Sequence, residues 1–158
     1  MAKLLSPAFD PKELSEQSTT GYPEPYKSLV AGRHKRRLGD HTGLKNFGVN
    51  LTRLDPGAES SMRHWHTKQD EFIYVLEGEV TLVTEAGRQK LKRGMAAGFL
   101  AGKADGHQLV NETKKPVLYL EIGDRTPGDG ATYSEADLAA KLVDGKWVFT
   151  HKDGSPYK

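Results

Sequence analysis

The sequence predicts an all-β domain. Only 36% of its residues are hydrophobic and 17 are glycine, a balance that favours short strands and many turns over a helical bundle. Short alternating or apolar runs recur along the chain, most of them closed by a turn signal. No segment repeats another, so the 158 residues suit one domain with an added arm.

The elements follow in chain order. Residues 1–27 hold Pro7, Pro11, Pro23 and Pro25 among Ser, Thr and Gly, which disfavours a regular strand or helix. An extended arm is expected, with a short helical turn near Pro11–Gln17. Phe9, Leu14, Tyr22 and Tyr26 give it apolar anchors for docking. Residues 33–37, Arg-His-Lys-Arg-Arg, are read as a solvated or edge strand guarded by its own charge. Tight nucleic-acid binding needs more phosphate contacts from a shaped surface, so no sequence-specific DNA binding is expected.

Phe47, Val49 and Leu51 alternate with polar neighbours and predict a half-buried strand, closed by Asp55-Pro56-Gly57. Residues 62–66 and Phe72–Leu76 are the next strands. Val80–Thr84 and Arg88–Lys92 bracket Glu85-Ala86-Gly87 as a hairpin. Met95–Leu100, His107–Asn111 and Val117–Ile122 are further strands. Ser134 is placed to cap a helix from Glu135 to about Val143, with Leu138 and Leu142 as its apolar stripe. Asp144-Gly145 ends it, and Trp147-Val148-Phe149 reads as a last strand.

The chemistry concentrates between Gly57 and Gly78. His64 and His66 share one face of a strand, with Trp65 on the other. Thr67–Asp70 has the length of a hairpin loop, and Glu71 opens the returning strand. Ile73 and Val75 share the parity of Glu71 and point inward, so Phe72, Tyr74 and Leu76 point outward. Two imidazoles and a carboxylate can converge on a divalent metal, and His107 is a third imidazole downstream.

The pattern Gly57, His64-Trp65-His66, Glu71, Gly78 resembles the first signature of the cupins. Gly94, Gly102, His107 and Asn111 resemble the second, with Leu100-Ala101-Gly102 where a proline-bearing turn is usual. The likeness spans roughly residues 44–122. It implies a single double-stranded β-helix, the jelly-roll barrel. The expected division is an N-terminal arm at 1–40, the barrel at 41–125, and a helix and tail packing on it at 126–158. The resemblance implies His64, His66, Glu71 and His107 as ligands of one divalent transition metal, with Fe, Zn, Ni and Mn undistinguished. Asp70 competes with Glu71, but only Glu71 leaves the family's spacing to Gly78.

Three function classes remain open. One is a metal-dependent enzyme on a small molecule, such as an oxygenase, isomerase or hydrolase. The second is a sensor module binding a sugar or small acid without catalysis. The third is a structural barrel with a vestigial site. Tyr74 and Gln108 have the wrong parity for the site, and His151 reads as a surface residue, so no general acid or base is named. The chain has no cysteine, no apolar run of membrane-spanning length and no signal-peptide core at its start. With a net charge of +2, a cytoplasmic protein without membrane or nucleic-acid partners is expected. A homodimer is expected to cover Phe72, Tyr74 and Leu76 where the arm or helix does not.

Overall fold

The computed structural model describes residues 4–157. Its strands are β1 (Arg33–Arg37), β2 (Phe47–Leu54), β3 (His64–His66), β4 (Glu71–Glu77), β5 (Glu79–Thr84) and β6 (Gly87–Lys92). They continue as β7 (Ala96–Phe99), β8 (Gln108–Val110), β9 (Val117–Asp124), β10 (Gly130–Tyr133), β11 (Ala139–Val143) and β12 (Lys146–Thr150). One sheet has the order β1-β2-β9-β4-β7. Facing it are the sheets β12-β11-β10-β3 and β6-β5-β8, linked by a backbone bridge between His64 and His107. This is the two-layered jelly-roll arrangement.

The core follows strand parity. Leu54, Ile73, Val75, Val117 and Tyr119 from the five-stranded sheet pack on Val80, Leu82, Leu91 and Leu109 from the β5 layer. A fully buried Val or Leu stabilises the fold by about 1.5–3 kcal/mol. A second cluster joins Tyr22 and Val30 of the arm to Met62, Ala131, Tyr133, Leu138 and Ala140. The arm therefore docks through Tyr22, with a bridge from Gln17 to Lys35 and short helical turns at Pro11–Glu13 and Tyr26–Leu29.

Gly78 makes the β4–β5 turn at φ +82°, a backbone conformation that L side chains rarely adopt. A Cβ there would lie 2.8 Å from Val117 Cγ2. Gly78→Ala is expected to destabilise the protein by about 1–3 kcal/mol, from backbone strain plus overpacking. A urea midpoint equal to that of the wild type would show that the turn relaxes freely.

Three expectations change. Residues 135–143 do not form a helix; β11 occupies Ala139–Val143 and pairs with β10 and β12. Asp144 (φ 49°) and Gly145 (φ 75°) form the β11–β12 turn, and Asp-Gly is the residue pair such a hairpin favours. Leu138, Ala140 and Leu142 are thus spaced by strand period, and Leu138 and Ala140 are buried.

The alternation in β2 is present, but its polar set faces inward. Thr52 is fully buried, while Phe47 is 42% exposed. The apolar set, with Phe72 and Tyr74 of β4, lies on the outer face of the sheet. The polar set turns inward here because Asn50 and Thr52 donate to the inward carboxylate of Glu121.

The basic run is an edge strand, as expected, but its charges are not free in solvent. Arg36 and Arg53 pair with Glu16 of the arm, at 2.7 and 2.9 Å. Lys35 turns inward and pairs with Glu121.

Candidate metal centre

The site forms where the two layers meet. β3 pairs with β10 and β4 pairs with β7 and β9, so β3 and β4 do not make a hairpin. Thr67–Asp70 instead carries the chain from one layer to the other. Asp70 fixes this crossing: its Oδ1 accepts from Ala101 N at 2.7 Å, and its own N–H donates to Asp124 Oδ2 at 2.8 Å. The segment contains no glycine for a tight primed turn. His64 and His66 therefore meet Glu71 across the interior.

His64, His66 and Glu71 bring ligand atoms within 4.8 Å of one another. Glu71 Oε2 lies 3.6 Å from His66 Nε2 and 3.9 Å from His64 Nε2. Asp70, the competing carboxylate, is outside the cluster. His107 joins through its Nε2, 2.8 Å from Glu71 Oε2. Its ring stacks on Phe99 with centroids 3.6 Å apart. The structure thus places all four expected residues at one spot, with His107 touching the cluster through Glu71.

The donor chemistry fits a cation. His64 Nδ1 donates to Met62 O at 2.8 Å, and His66 Nδ1 donates to Asp129 Oδ2 at 2.5 Å. With both Nδ1 protons committed, both Nε2 atoms present bare lone pairs, and these face each other at 3.2 Å. Two lone pairs at that separation repel unless a proton or metal lies between them. A metal bound at about 2.0–2.1 Å from each imidazole places adjacent ligand nitrogens at about this spacing.

Electrostatics agree with the geometry. Burial pushes the His64 imidazole down to about 4, so its lone pair stays free at neutral pH. Burial pushes the Glu71 carboxyl up, but the His107 hydrogen bond and the other imidazoles outweigh it. The net effect holds Glu71 below the usual carboxylate range. A negative oxygen and neutral nitrogens are the forms a metal needs.

Asp129 was not legible in the sequence. It sits in the loop after β9, only 1% exposed. Besides His66 it accepts from Lys68 N at 2.8 Å and Thr67 Oγ1 at 3.1 Å. Carboxylate–histidine pairing of this kind fixes ring orientation and tautomer at metal sites. A lone Asp in Thr-Pro-Gly-Asp-Gly gives no warning of that role. Tyr74 is exposed on the outer face, Gln108 donates to Glu59, and His151 pairs with Asp137, all away from the cluster.

The cluster opens on a cavity of about 520 Å³ inside the fold, lined also by Tyr22, Tyr133, Trp147, Arg33, Tyr119 and Glu121. On its other side is a smaller pocket of about 160 Å³, bounded by Trp65, Leu100, Lys103 and Asp105. Asn111, the last residue of the second signature, is structural. It is fully buried and its Nδ2 donates to Leu54 O at 3.0 Å and Lys115 O at 2.8 Å.

Comparisons with known proteins agree with this geometry. The family described as "Cupin domain" matches residues 50–123. A crystal structure from Silicibacter pomeroyi, described as a sugar phosphate isomerase from a cupin superfamily, is 43% identical with a TM-score of 0.92. The match covers 96% of this chain and 97% of that one. A protein from Acidithiobacillus ferrooxidans, provisionally described as a sugar phosphate isomerase, is 28% identical with a TM-score of 0.72, over 81% and 83% of the two chains. A polyketide cyclase from Streptomyces resistomycificus is 19% identical with a TM-score of 0.61, over 78% and 80%, and shares the fold alone. No curated protein matches the sequence. With both signatures in place, the jelly roll built around them and a 43%-identical relative aligned along almost its whole length, the chain belongs to the cupin superfamily.

Proposed function

We propose that this protein is a metal-dependent isomerase of sugar phosphates, using one divalent transition metal held by His64, His66, Glu71 and His107. The observation that carries the reading is the convergence of those residues beside a cavity of about 520 Å³ that also holds Arg33, Lys35 and Glu121. Its support is the sugar phosphate isomerase description of the 43%-identical relative. A bound metal would supply Lewis acidity for a carbonyl and the hydroxyl beside it. The chain's own residues have distinct tasks. His64 and His66, pinned through Nδ1, would hold the metal through Nε2. Tyr22, Tyr133 and Trp147 wall the cavity and limit its water. Phe99 holds the His107 ring in place by stacking.

The test is interconversion of aldose and ketose phosphates by metal-loaded protein across a panel of chain lengths. Turnover should vanish with chelator and return with added metal. A protein carrying stoichiometric metal that interconverts none of them would remove the isomerase reading.

The same reading extends to assembly as a homodimer. Phe72 (43% exposed) and Tyr74 (39%) stay uncovered, since the arm docks through Glu16 at the β1–β2 side of that sheet. A neighbouring copy across this outer face would bury them. Light scattering at micromolar concentration should give twice the 17.4 kDa chain mass, and Phe72→Glu should shift it toward one. A wild-type monomer mass would refute the dimer.

A further inference from the structure

The inner face of the five-stranded sheet places a second set of polar groups beyond the metal cluster. In antiparallel pairs, directly opposed residues share a face. The register therefore aligns Lys35, Thr52, Tyr119 and Val75 in one inward row. Asn50, Glu121 and Ile73 form the next row, and Glu71 with Gly123 the one after. Tyr119 thus lies two rows from Glu71, about 13 Å along the strand. Arg33, opposite Leu54 and in line with Val117, lies one row further, and its side chain lines the same cavity as Tyr119 and Glu71.

Two groups at this deep end have unspent hydrogen-bonding capacity. Arg33 donates to Ser60 O through one nitrogen, and no carboxylate pairs with it among the described residues. Its guanidinium lines the cavity. Tyr119 is 1% exposed, lines the same cavity, and its hydroxyl has no hydrogen-bond partner. A buried unsatisfied hydroxyl costs about 1–3 kcal/mol and marks a place where a ligand atom belongs. Burial holds Tyr119 well above its ordinary value, so it is a donor at neutral pH. Glu121 does not fill the gap. Its Oε1 pairs with Lys35 and accepts from Asn50 at 3.0 Å, and its Oε2 accepts from Thr52 at 3.3 Å. Lys35 is neutralised by that contact, and Arg33 leaves the deep end with a net positive charge.

We propose that Arg33 and the Tyr119 hydroxyl form an anion subsite that takes the phosphate of a phosphomonoester whose sugar end reaches the metal. The subsite rests on the isomerase reading for its sugar but not for its phosphate. A guanidinium matches phosphate oxygens in a bidentate fork, and the tyrosine adds a third donor. The Lys35–Glu121 pair holds the neighbouring wall and keeps the total charge low enough for release.

Binding of inorganic phosphate to metal-loaded protein tests this by calorimetry, with metal content measured in each sample. Saturable binding by the wild type is expected, weakened about tenfold or more in Arg33→Gln and several-fold in Tyr119→Phe, with metal content unchanged. Tyr119→Phe preserves the ring, so it reports even where Arg33→Gln folds poorly. Wild-type phosphate affinity in both variants, or no saturable binding by the wild type, overturns the subsite; the former would place phosphate on the metal. The two readings separate with sugar phosphates. Phosphate binding lost in both variants while no sugar phosphate is turned over sinks the isomerase and upholds the subsite. Turnover with a KM unaltered in Arg33→Gln and Tyr119→Phe does the reverse.

Discussion

Single alanine replacements of His64, His66 and Glu71 should each yield protein nearly free of transition metal, while Asp70→Ala keeps wild-type content. Each of the three supplies one atom of the cluster. The chain has no cysteine to substitute for it. Losing a partner outside the inner sphere already lowers metal affinity by about 10–100-fold, and losing a direct bond should exceed that. Asp70 is spent on the backbone of Ala101, so its removal loosens a loop and leaves the donor set intact. His107→Ala should fall with the first three, and a milder loss would reduce His107 to a residue that orients Glu71. Acid should release the metal, because protons compete for the same lone pairs. Glu71, held below the usual range, is not the group that yields first. The metal-free protein should also weaken in acid. Unfolded His64 takes up a proton near 6.5, whereas the folded form resists until about 4, so folded-state stability is lost as pH falls between those values. Metal analysis of the variants and denaturant midpoints across that range check both effects. Full metal in His64→Ala, His66→Ala and Glu71→Ala would end the metal reading.

The sequence pointed to the His64, His66 and Glu71 cluster because its information is local. His64, Trp65 and His66 alternate on one strand, and Glu71 sets the parity that buries Ile73 and Val75. What it hid depends on tertiary context. The β2 alternation looked like an ordinary half-buried strand, yet its polar members Asn50 and Thr52 face inward and donate to Glu121, which arrives there with Lys35 from strands far away in the chain. Arg33–Arg37 looked like a solvated edge, and charge alone does not reveal that two of its side chains point inward. The 135–143 segment fits a helical stripe and a strand equally, since Leu138 and Leu142 satisfy both periods. Asp144-Gly145 was the better signal: a hairpin pair flanked by strand-forming residues outweighs a possible serine cap. Thr67–Asp70 had hairpin length, but length alone does not say whether a chain turns back or crosses between layers.

Asp129→Asn should lower metal affinity by about 10–100-fold while leaving every ligand atom in place. The carboxylate meets three donors: His66 Nδ1–H at 2.5 Å, Lys68 N–H at 2.8 Å and the Thr67 hydroxyl at 3.1 Å. An ionised carboxylate is acceptor-only and suits all three. Asparagine has the same shape but only one acceptor oxygen, so its NH2 must face a donor. If that donor is His66 Nδ1–H, the imidazole gains a competing tautomer that puts its proton on Nε2, where the metal would bind. The ring then loses both orientation and basicity. If the amide faces Lys68 instead, the N–H there is buried without a partner, at about 1–3 kcal/mol of fold stability. The two effects are separable. Metal titration reads the first, and the denaturation midpoint of the metal-free protein reads the second. Asp129→Asn with wild-type metal affinity would mean that His66 is oriented by its strand alone, through its pairing with Ala131 in β10.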